Sequence, residues 1–364
     1  MEKARWKWGM AAVAAVWLIL ALAAWLRSPD AISLQERRPL AQFPEITSEN
    51  LGNGRFMEDF ESYTLDQFPG RTLFRQVKAL THYYVLGQRD NNGIYVTQGQ
   101  AAKLEYPLKE GSVLRAKRIF TQIREKYLAD SQVFVSVVPD KGYYLAEENG
   151  YLAMDYDRLF AIMSSMEGVV YVPLTDCLTG ADYYRTDTHW RQEKLFTAAQ
   201  KLCNAMNIPA PKPEEYRLTQ VPAPFYGVYY GQAALPMEPD TLYTLQSDLL
   251  AQCQVYNYET GKTGSVYDES KLSSSDLYQV FLSGSVSLLR IDNPNAQTDR
   301  ELIVFRDSFG SAIAPLLMQG YKSVTLIDIR YLSSAMLDRF IDFHGQDVLF
   351  LYSTIVLNNS ETLQ

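Results

Sequence analysis

The most constraining feature of this sequence is an uninterrupted apolar run near its start, residues 9–26, which carries no charged side chain. At about 1.5 Å per residue, a helix of this length just crosses the roughly 30 Å of hydrocarbon in a bilayer. Lys3, Arg5 and Lys7 precede the run, which predicts that residues 1–8 form a cytoplasmic tail and that the chain after the run is exported. We therefore expect a single transmembrane anchor in the cell membrane.

Other interpretations of this run remain open. Ala21-Leu22-Ala23 fits the cleavage pattern of a signal peptide, which would make the exported part a secreted protein. Arg27, Arg37 and Arg38 follow the run closely, so the charge bias is imperfect and a domain facing the cytoplasm is the alternative orientation. A buried helix of a soluble protein is disfavoured because the run has no polar face.

The composition excludes several classes of function. The formal net charge is −8 and no block of basic residues offers a surface for phosphates, so nucleic acid is not an expected partner. The histidines and cysteines lie far apart, without the spacing of a metal site, and we expect neither a metal nor another cofactor. Cys177, Cys203 and Cys253 are expected to be unpaired and buried.

Beyond the anchor the chain divides into two stretches, the second of which contains an insertion. Residues 27–60 are polar and contain several prolines, which predicts an extended stalk or strap. Residues 61–358 alternate strand-like apolar runs, such as 132–138, with helical patterns, such as 190–207. Between about 208 and 279 this alternation fades, which indicates an insertion of loops and short strands. The alternation predicts an α/β fold with a doubly wound parallel sheet, covered by helices on both faces.

One predicted strand is followed directly by reactive side chains. After the apolar run 301–305 come Asp307 and Ser308, and then small residues that open a helix. Ligands of open α/β sheets bind beyond the carboxyl ends of the strands, so Ser308 is a candidate nucleophile. The alternative is that Asp307 or Ser308 only caps the helix.

A second motif precedes the long amphipathic helix. In the segment 184–190, YRTDTHW, Asp187 can orient the imidazole of His189, whose other nitrogen can then accept a hydroxyl proton. The alternative is a capping role for Asp187 and an ordinary surface position for His189. With Ser308, the two segments supply a nucleophile, a base and an orienting carboxylate, which meet in space and not in sequence.

These motifs resemble the DHHW-type members of the SGNH-like hydrolases, relatives of the alginate O-acetylation proteins. The resemblance rests on segments spread through the chain: DQFPGR (66–71), VPDK (138–141), DTHW (187–190), RDSFG (306–310) and IDIRY (327–331). It implies a flavodoxin-like α/β sandwich with SGNH-type chemistry in permuted chain order. By this resemblance Ser308 is the acetyl-accepting nucleophile, His189 the general base and Asp187 its orienter.

Further residues are expected to contact the substrate or an oxyanion: Trp190, Gly284, Ser285, Arg306, Arg330 and Tyr331. Trp190 could instead pack on the sheet, and Arg330 and Tyr331 could merely close a loop. Lys141 either lies near the active edge or is a solvated charge in a turn.

Two positions depart from the family pattern. Ser285 and Ser311 stand where relatives often carry Asn, the usual second oxyanion donor of this chemistry. The loss of such a donor would weaken transition-state stabilisation by about 2.7–4 kcal/mol.

Taken with this resemblance, the sequence predicts an extracytoplasmic serine O-acetyltransferase or acetylesterase that acts on a cell-surface or exported polysaccharide. Because an exported enzyme has no access to cytoplasmic acetyl-CoA, a multi-pass membrane O-acyltransferase is the expected acetyl donor. The alternative is a catalytically weak glycan-binding or assembly subunit of a polysaccharide-acetylation system, which the departures at Ser285 and Ser311 motivate.

Overall fold

The computed structural model describes residues 2–364. These residues form two compact units. One unit comprises residues 2–92 with Tyr230–Pro236, and the other comprises Gly93–Tyr229 with Met237–Gln364. The α-helices are α1 (Glu2–Leu26), α2 (Ser48–Gly52), α3 (Arg55–Asp66), α4 (Arg71–Leu80), α5 (Glu110–Tyr127), α6 (Lys141–Leu145), α7 (Tyr156–Ser164), α8 (Phe196–Ala205), α9 (Val228–Ala233), α10 (Asp248–Gln252), α11 (Gly310–Ile313) and α12 (Thr354–Asn358). The strands are β1 (Ile32–Ser33), β2 (Arg38–Pro39), β3 (Ile94–Thr97), β4 (Gln100–Lys103), β5 (Val133–Val138), β6 (Val170–Tyr171), β7 (Arg217–Gln220), β8 (Tyr243–Gln246), β9 (Gln254–Asn257), β10 (Lys262–Gly264), β11 (Leu288–Asp292), β12 (Glu301–Arg306), β13 (Ser323–Ile327) and β14 (Asp347–Ser353).

The first unit begins with the apolar helix α1. Among the described residues, none of its segment Trp6–Leu26 is buried, and the segment is long and apolar enough to cross a membrane. Across residues 2–364 it is the one helix with these properties. The apolar helix expected from the run 9–26 is therefore present.

The segment predicted to be an extended stalk, residues 27–60, is only partly extended. It contains the short pairing of β1 with β2, then α2 and the start of α3. Asp66, at the end of α3, accepts hydrogen bonds from Arg38 at 2.5 and 2.8 Å and from the N–H of Ala41 at 2.9 Å. The hydrogen bond from Arg38 holds the pKa of Asp66 at about 2. Polar contacts of this kind leave no apolar periodicity in the sequence. The pattern of residues 27–60 therefore did not reveal that the segment folds.

The second unit is built on an eight-stranded sheet with the order β10-β9-β11-β13-β12-β14-β5-β6. From β13 to β6 all neighbouring strands are parallel. The predicted α/β fold is confirmed, but the sheet is not parallel throughout. At one edge β11 pairs antiparallel with β13, β9 with β11, and β10 with β9. β11 and β12 lie on either side of β13 and are joined by residues 293–300. A connection between parallel strands of one sheet needs a dozen or more residues, so this short connection suits a reversal of direction.

Alternate residues of the parallel strands enter two different cores, because successive side chains of a strand point to opposite faces. On β12, Leu302 and Val304 pack in the core that includes α8 and α11, whereas Ile303 and Phe305 pack in the core that includes α5, α7 and α12. Helices therefore cover both faces, as the doubly wound prediction requires.

The long helix predicted over 190–207 begins later than its pattern suggests. Residues Gln192–Lys194 form a 3₁₀ turn, and α8 starts at Phe196. Trp190 instead forms an isolated antiparallel bridge with Tyr183, which shapes the loop that carries the second motif. Cys203 and Cys253 are buried and free as predicted, whereas the free Cys177 is only half-buried.

Candidate active site

Ser308 lies on the turn between β12 and α11, at the carboxyl edge of the parallel strands. The buried carboxylate of Asp307 accepts hydrogen bonds from the N–H of Phe309 at 3.0 Å and from the N–H of Ser353 at 2.8 Å. These bonds tie the turn to the end of β14. The N-cap position of α11 is Phe309 and has no side-chain cap, so Asp307 fastens the turn instead of capping the helix. Ser308 does not cap the helix either, and its hydroxyl is left for another partner.

That partner is His189. Its Nε2 lies 2.7 Å from Oγ of Ser308, and its Nδ1 lies 2.6 Å from Oδ1 of Asp187. Both distances are within hydrogen-bond reach for a base and its partners. The fold thus brings together the three residues that the two motifs predicted, as a continuous chain of hydroxyl, imidazole and carboxylate.

The partners of Asp187 decide how the imidazole is protonated. Asp187 is fully buried, and it also accepts hydrogen bonds from the N–H of His189 at 3.0 Å and from the N–H of Val228 at 2.8 Å. As a carboxylate Asp187 can only accept, so Nδ1 of His189 carries the proton that faces it. In the neutral ring, Nε2 then presents its lone pair to Ser308, which is the arrangement for removing a hydroxyl proton.

Two aromatic rings fix the plane of the imidazole. Tyr278 stacks on His189 with ring centroids 3.9 Å apart and an interplanar angle of 10°, and Phe309 contacts it at 5.0 Å. Tyr278 is buried, on a 3₁₀ turn inside a region that the sequence pattern describes only as irregular. No sequence signal distinguishes this tyrosine from its neighbours, so only the tertiary contact identifies it.

The structure contradicts the prediction that the N–H of Gly284 binds an oxyanion. Its N–H already donates to the carbonyl of Phe281 at 3.1 Å, in a turn where Gly284 adopts a φ of 80°. The N–H of Ser308 itself has no hydrogen-bond acceptor within residues 2–364. Ser308 N–H is therefore the backbone donor available beside the hydroxyl, whereas Ser311 is fully buried and its hydroxyl faces no substrate space.

Arg306 was expected to contact substrate, and the structure places it elsewhere. Its guanidinium is fully buried and donates to the carbonyls of Gly284 and Val286, both at 3.3 Å. A charged side chain inside a fold is held by such acceptors, so Arg306 supports the 284–286 loop from within. Ser285, in that loop, is exposed.

Trp190 is also an internal residue. It is fully buried, its indole N–H donates to the carbonyl of Phe309 at 3.1 Å, and its ring contacts Phe309 edge-on. The expectation that Trp190 contacts the substrate or an oxyanion is wrong, and the packing alternative holds. Its contacts connect the loop of His189 to the turn of Ser308.

Arg330 and Tyr331 differ in their accessibility. The Arg330 guanidinium is bound by both carboxylate oxygens of the buried Asp328, at 2.9 and 2.6 Å. Tyr331 is 57% exposed, and the guanidinium lies 5.4 Å from its ring centroid. Arg330 thus has a structural partner, whereas contact of Tyr331 with substrate stays a prediction.

The sequence model of the DHHW protein family matches residues 166–327. The predicted DHHW resemblance is confirmed. The matched residues, hereafter the DHHW segment, contain both motifs with Asp187, His189 and Ser308. A search by sequence finds no match among curated proteins.

Solved structures share the fold of this chain. A DHHW family protein from Eubacterium siraeum is 23% identical with a TM-score of 0.62, and the match covers 75% of this chain and 95% of that one. PatB1 from Bacillus cereus, in a structure with a sulfonyl adduct, is 17% identical with a TM-score of 0.55, and the match covers 72% of this chain and 95% of that one. At these identities the likeness is one of fold.

Within the DHHW segment, Gly227 is a site residue that the motifs did not indicate. A Cβ atom on Gly227 would overlap the Cα and Cβ of Asp187 and the carbonyl oxygen of Thr186. Its N–H donates to Oγ1 of Thr186 at 2.9 Å, and the next N–H, of Val228, donates to Asp187 at 2.8 Å. The predicted insertion 208–279 therefore supplies backbone that packs closely against the loop of Asp187, the carboxylate that orients His189. Only glycine at position 227 permits this close approach.

We expect Gly227→Ala to lower turnover of a chromogenic acetyl ester by about 10- to 100-fold, because a displacement near 1 Å is enough to disturb catalytic geometry. The methyl group forces the backbone at Asp187 to shift. Gly264→Ala is the matched control, since no atom lies within 4 Å of a Cβ at that position. Equal activity of the two variants would show that the close approach has no bearing on the site.

Lys141 lies outside the DHHW segment but contacts it. This residue starts α6 and is 2% exposed. Its Nζ donates to the carbonyl oxygens of Tyr184 at 2.9 Å and of Arg185 at 3.3 Å, and it lies 5.2 Å from the ring centroid of Tyr229. The solvated alternative for Lys141 is wrong, because its ammonium group is held beneath the loop that carries Asp187 and His189.

Proposed function

We propose that this chain is a serine O-acetyltransferase or acetylesterase that acts on a cell-surface or exported polysaccharide, with Ser308 as nucleophile, His189 as general base and Asp187 as its orienter. The observation that carries the proposal is the hydrogen-bonded chain from Ser308 Oγ through His189 to Asp187. The polysaccharide and the acetyl group come from the DHHW resemblance, not from this geometry.

In the first half-reaction, Oγ of Ser308 attacks the carbonyl carbon of an acetyl ester while Nε2 of His189 takes its proton. The negative charge develops on the former carbonyl oxygen, which the N–H of Ser308 can stabilise. The C–O bond to the donor alcohol then breaks, and His189 returns the proton to the leaving oxygen. The products are the free alcohol and an acetyl ester on Ser308.

In the second half-reaction, a sugar hydroxyl attacks the acetyl-serine while His189 takes the hydroxyl proton. Collapse of the second tetrahedral species breaks the bond to Oγ and returns the proton to Ser308. The sugar then carries the acetyl group, and water in place of the sugar makes the reaction a hydrolysis.

The proposed location is the outer face of the cell membrane. The apolar helix α1 would be the anchor, and Lys3, Arg5 and Lys7 would hold its start in the cytoplasm. A protein with this orientation cannot reach cytoplasmic acetyl-CoA, so a multi-pass membrane O-acyltransferase is proposed as the acetyl donor.

Reaction with a fluorophosphonate probe tests the nucleophile. We expect peptide mapping to locate the adduct on Ser308, and we expect Asp187→Asn to slow labelling by about 10⁴-fold, because an amide cannot hold the required tautomer of His189. Asp157→Asn, at an exposed position on α7, is the matched control and should label at the normal rate. An adduct elsewhere, or normal labelling of Asp187→Asn, would contradict the proposal.

A glycan-binding or assembly subunit is the second candidate. Two observations favour it: the N–H of Gly284 is already used, and Ser311 is buried where relatives often carry an Asn donor. An incomplete oxyanion site would weaken catalysis and leave binding intact. Retention of an acetylated glycan without any probe labelling at Ser308 would select this candidate over the enzyme.

A further inference from the structure

Helix α4 presents an apolar stripe to the outside of the first unit. Leu73, Phe74, Val77 and Leu80 are 61%, 51%, 52% and 38% exposed, respectively. Their spacing places them on one side of the helix. The stripe continues into the π-helical turn Thr81–Val85 and the residue after it, where Tyr84, Val85 and Leu86 are exposed.

The opposite side of α4 is polar and faces the unit. Arg75 donates to the carbonyls of Gly231 at 3.0 Å and Gln232 at 3.3 Å and pairs with Glu36 at 3.3 Å. Arg71 also pairs with Glu36. A surface helix of a soluble domain normally has the reverse arrangement, with its apolar face inward. The outward stripe of α4 therefore has the polarity of a helix that meets an apolar environment.

A pair of hydrogen bonds holds the start of α4 near the end of α1. The N–H of Asp30 donates to Oε1 of Gln67 at 2.9 Å, and Nε2 of Gln67 donates to the carbonyl of Asp30 at 2.9 Å. Asp30 follows the end of α1 at Leu26 by four residues, and Gln67 precedes Arg71 by four. Each of these two segments spans at most about 14 Å, so the start of α4 lies within roughly 30 Å of the point where α1 would leave a bilayer.

We propose that α4 lies in the interface of the bilayer that α1 spans, with its stripe of Leu73, Phe74, Val77 and Leu80 among the lipid chains. Such helices bury their apolar face by about 5–10 Å at the boundary of headgroups and acyl chains. Lys78 flanks the stripe and is exposed, as expected for contact with anionic headgroups. The proposal rests on the proposed anchor and is independent of the chemistry of Ser308.

The test uses the full chain in nanodiscs of phosphatidylcholine and phosphatidylglycerol. An environment-sensitive fluorophore is attached to Val77→Cys in a background with Cys177→Ser, since Cys203 and Cys253 are buried. Lipids that carry a nitroxide near the headgroup should remove most of the emission, and lipids with a nitroxide at the chain end should remove less. Thr72→Cys is the matched control: it lies on the same helix, about 140° around the axis from Val77, and should be quenched less.

Three results would overturn the proposal. The first is a label at Val77 that lipid nitroxides leave unquenched and aqueous iodide reaches freely. The second is a label that neither agent reaches, since a protein partner or a second copy then covers the stripe. The third is equal quenching at Val77 and Thr72. Failure of the chain to enter nanodiscs would refute the anchor and this proposal together, whereas probe labelling of Ser308 in the same sample reports separately on the proposed enzyme.

Discussion

Replacing Ser308 by Ala is expected to reduce turnover of a chromogenic acetyl ester to background, a loss of roughly 10⁶-fold in kcat. The hydroxyl is the only atom of the Ser308–His189–Asp187 chain that can form the acyl ester, so no neighbouring group replaces it. The double variant with His189→Ala should be no slower than the single variant, because residues that act as one unit do not add their effects.

Ser323→Ala is the matched control for this variant. Ser323 is buried at the start of β13, the end of the sheet away from Ser308, and its hydroxyl has no hydrogen-bond partner within residues 2–364. Its loss should leave turnover unchanged. Persistent turnover by purified Ser308→Ala would remove Ser308 as the nucleophile.

Replacing Lys141 by Met is expected to lower kcat by about 10- to 100-fold, because the loop of Asp187 and His189 loses its buried support. Nζ of Lys141 donates to the carbonyl oxygens of Tyr184 and Arg185. Met removes this donor from the Tyr184 carbonyl, whereas the Arg185 carbonyl keeps the N–H of Ala101 at 2.7 Å. Lys262→Met, at an exposed position on β10, is the control and should retain normal turnover. A normal kcat for Lys141→Met would show that the loop keeps its geometry without the ammonium group.

The same substitution should change how stability depends on pH. Burial lowers the pKa of Lys141 from 10.5 to about 7, although Asp187, Asp240 and Asp140 raise it in part. Between these pH values the unfolded chain binds a proton that the folded chain does not, so this lysine makes the free energy of unfolding rise with pH. Its contribution is greatest above pH 10.5 and is lost as the pH falls through about 7.

Urea denaturation at a series of pH values can measure this dependence. The rise between about pH 7 and 10.5 should be smaller in Lys141→Met than in the wild-type chain, and Lys262→Met should retain it. Identical pH profiles for all three proteins would mean that Lys141 keeps its ordinary pKa in the fold.

Much of the fold can be predicted from the sequence because it depends on local patterns of apolar residues. The strand run 132–138 appears as β5 and the run 301–305 as β12, since continuous β-branched and apolar residues suit a sheet covered on both faces. The direction of β11 in the sheet cannot be predicted from the sequence. Its residues have the same apolar character as those of a parallel strand, and only the short connection to β12 and the neighbours β9 and β13 decide its direction.

The candidate site divides in a similar way. Asp187, His189 and Ser308 were identifiable because each stands in a short motif next to a strand or helix boundary. The partners of Arg306 and Trp190 were not identifiable, because a charged or aromatic residue beside a motif can point outward or inward with the same local sequence. Burial of both depends on contacts with Gly284 and Phe309, far away in the chain.

The sequence by itself determined the apolar helix α1 and the α/β class, which follow from the periodicity of apolar residues. It also identified Asp187, His189 and Ser308 as an orienting carboxylate, a base and a nucleophile, which follows from side-chain type. Only the tertiary structure decided that those residues form one hydrogen-bonded chain, that Gly227 admits the backbone against Asp187, and that Lys141 is buried beneath the loop. These features depend on distances between remote segments, which packing sets and local sequence does not encode.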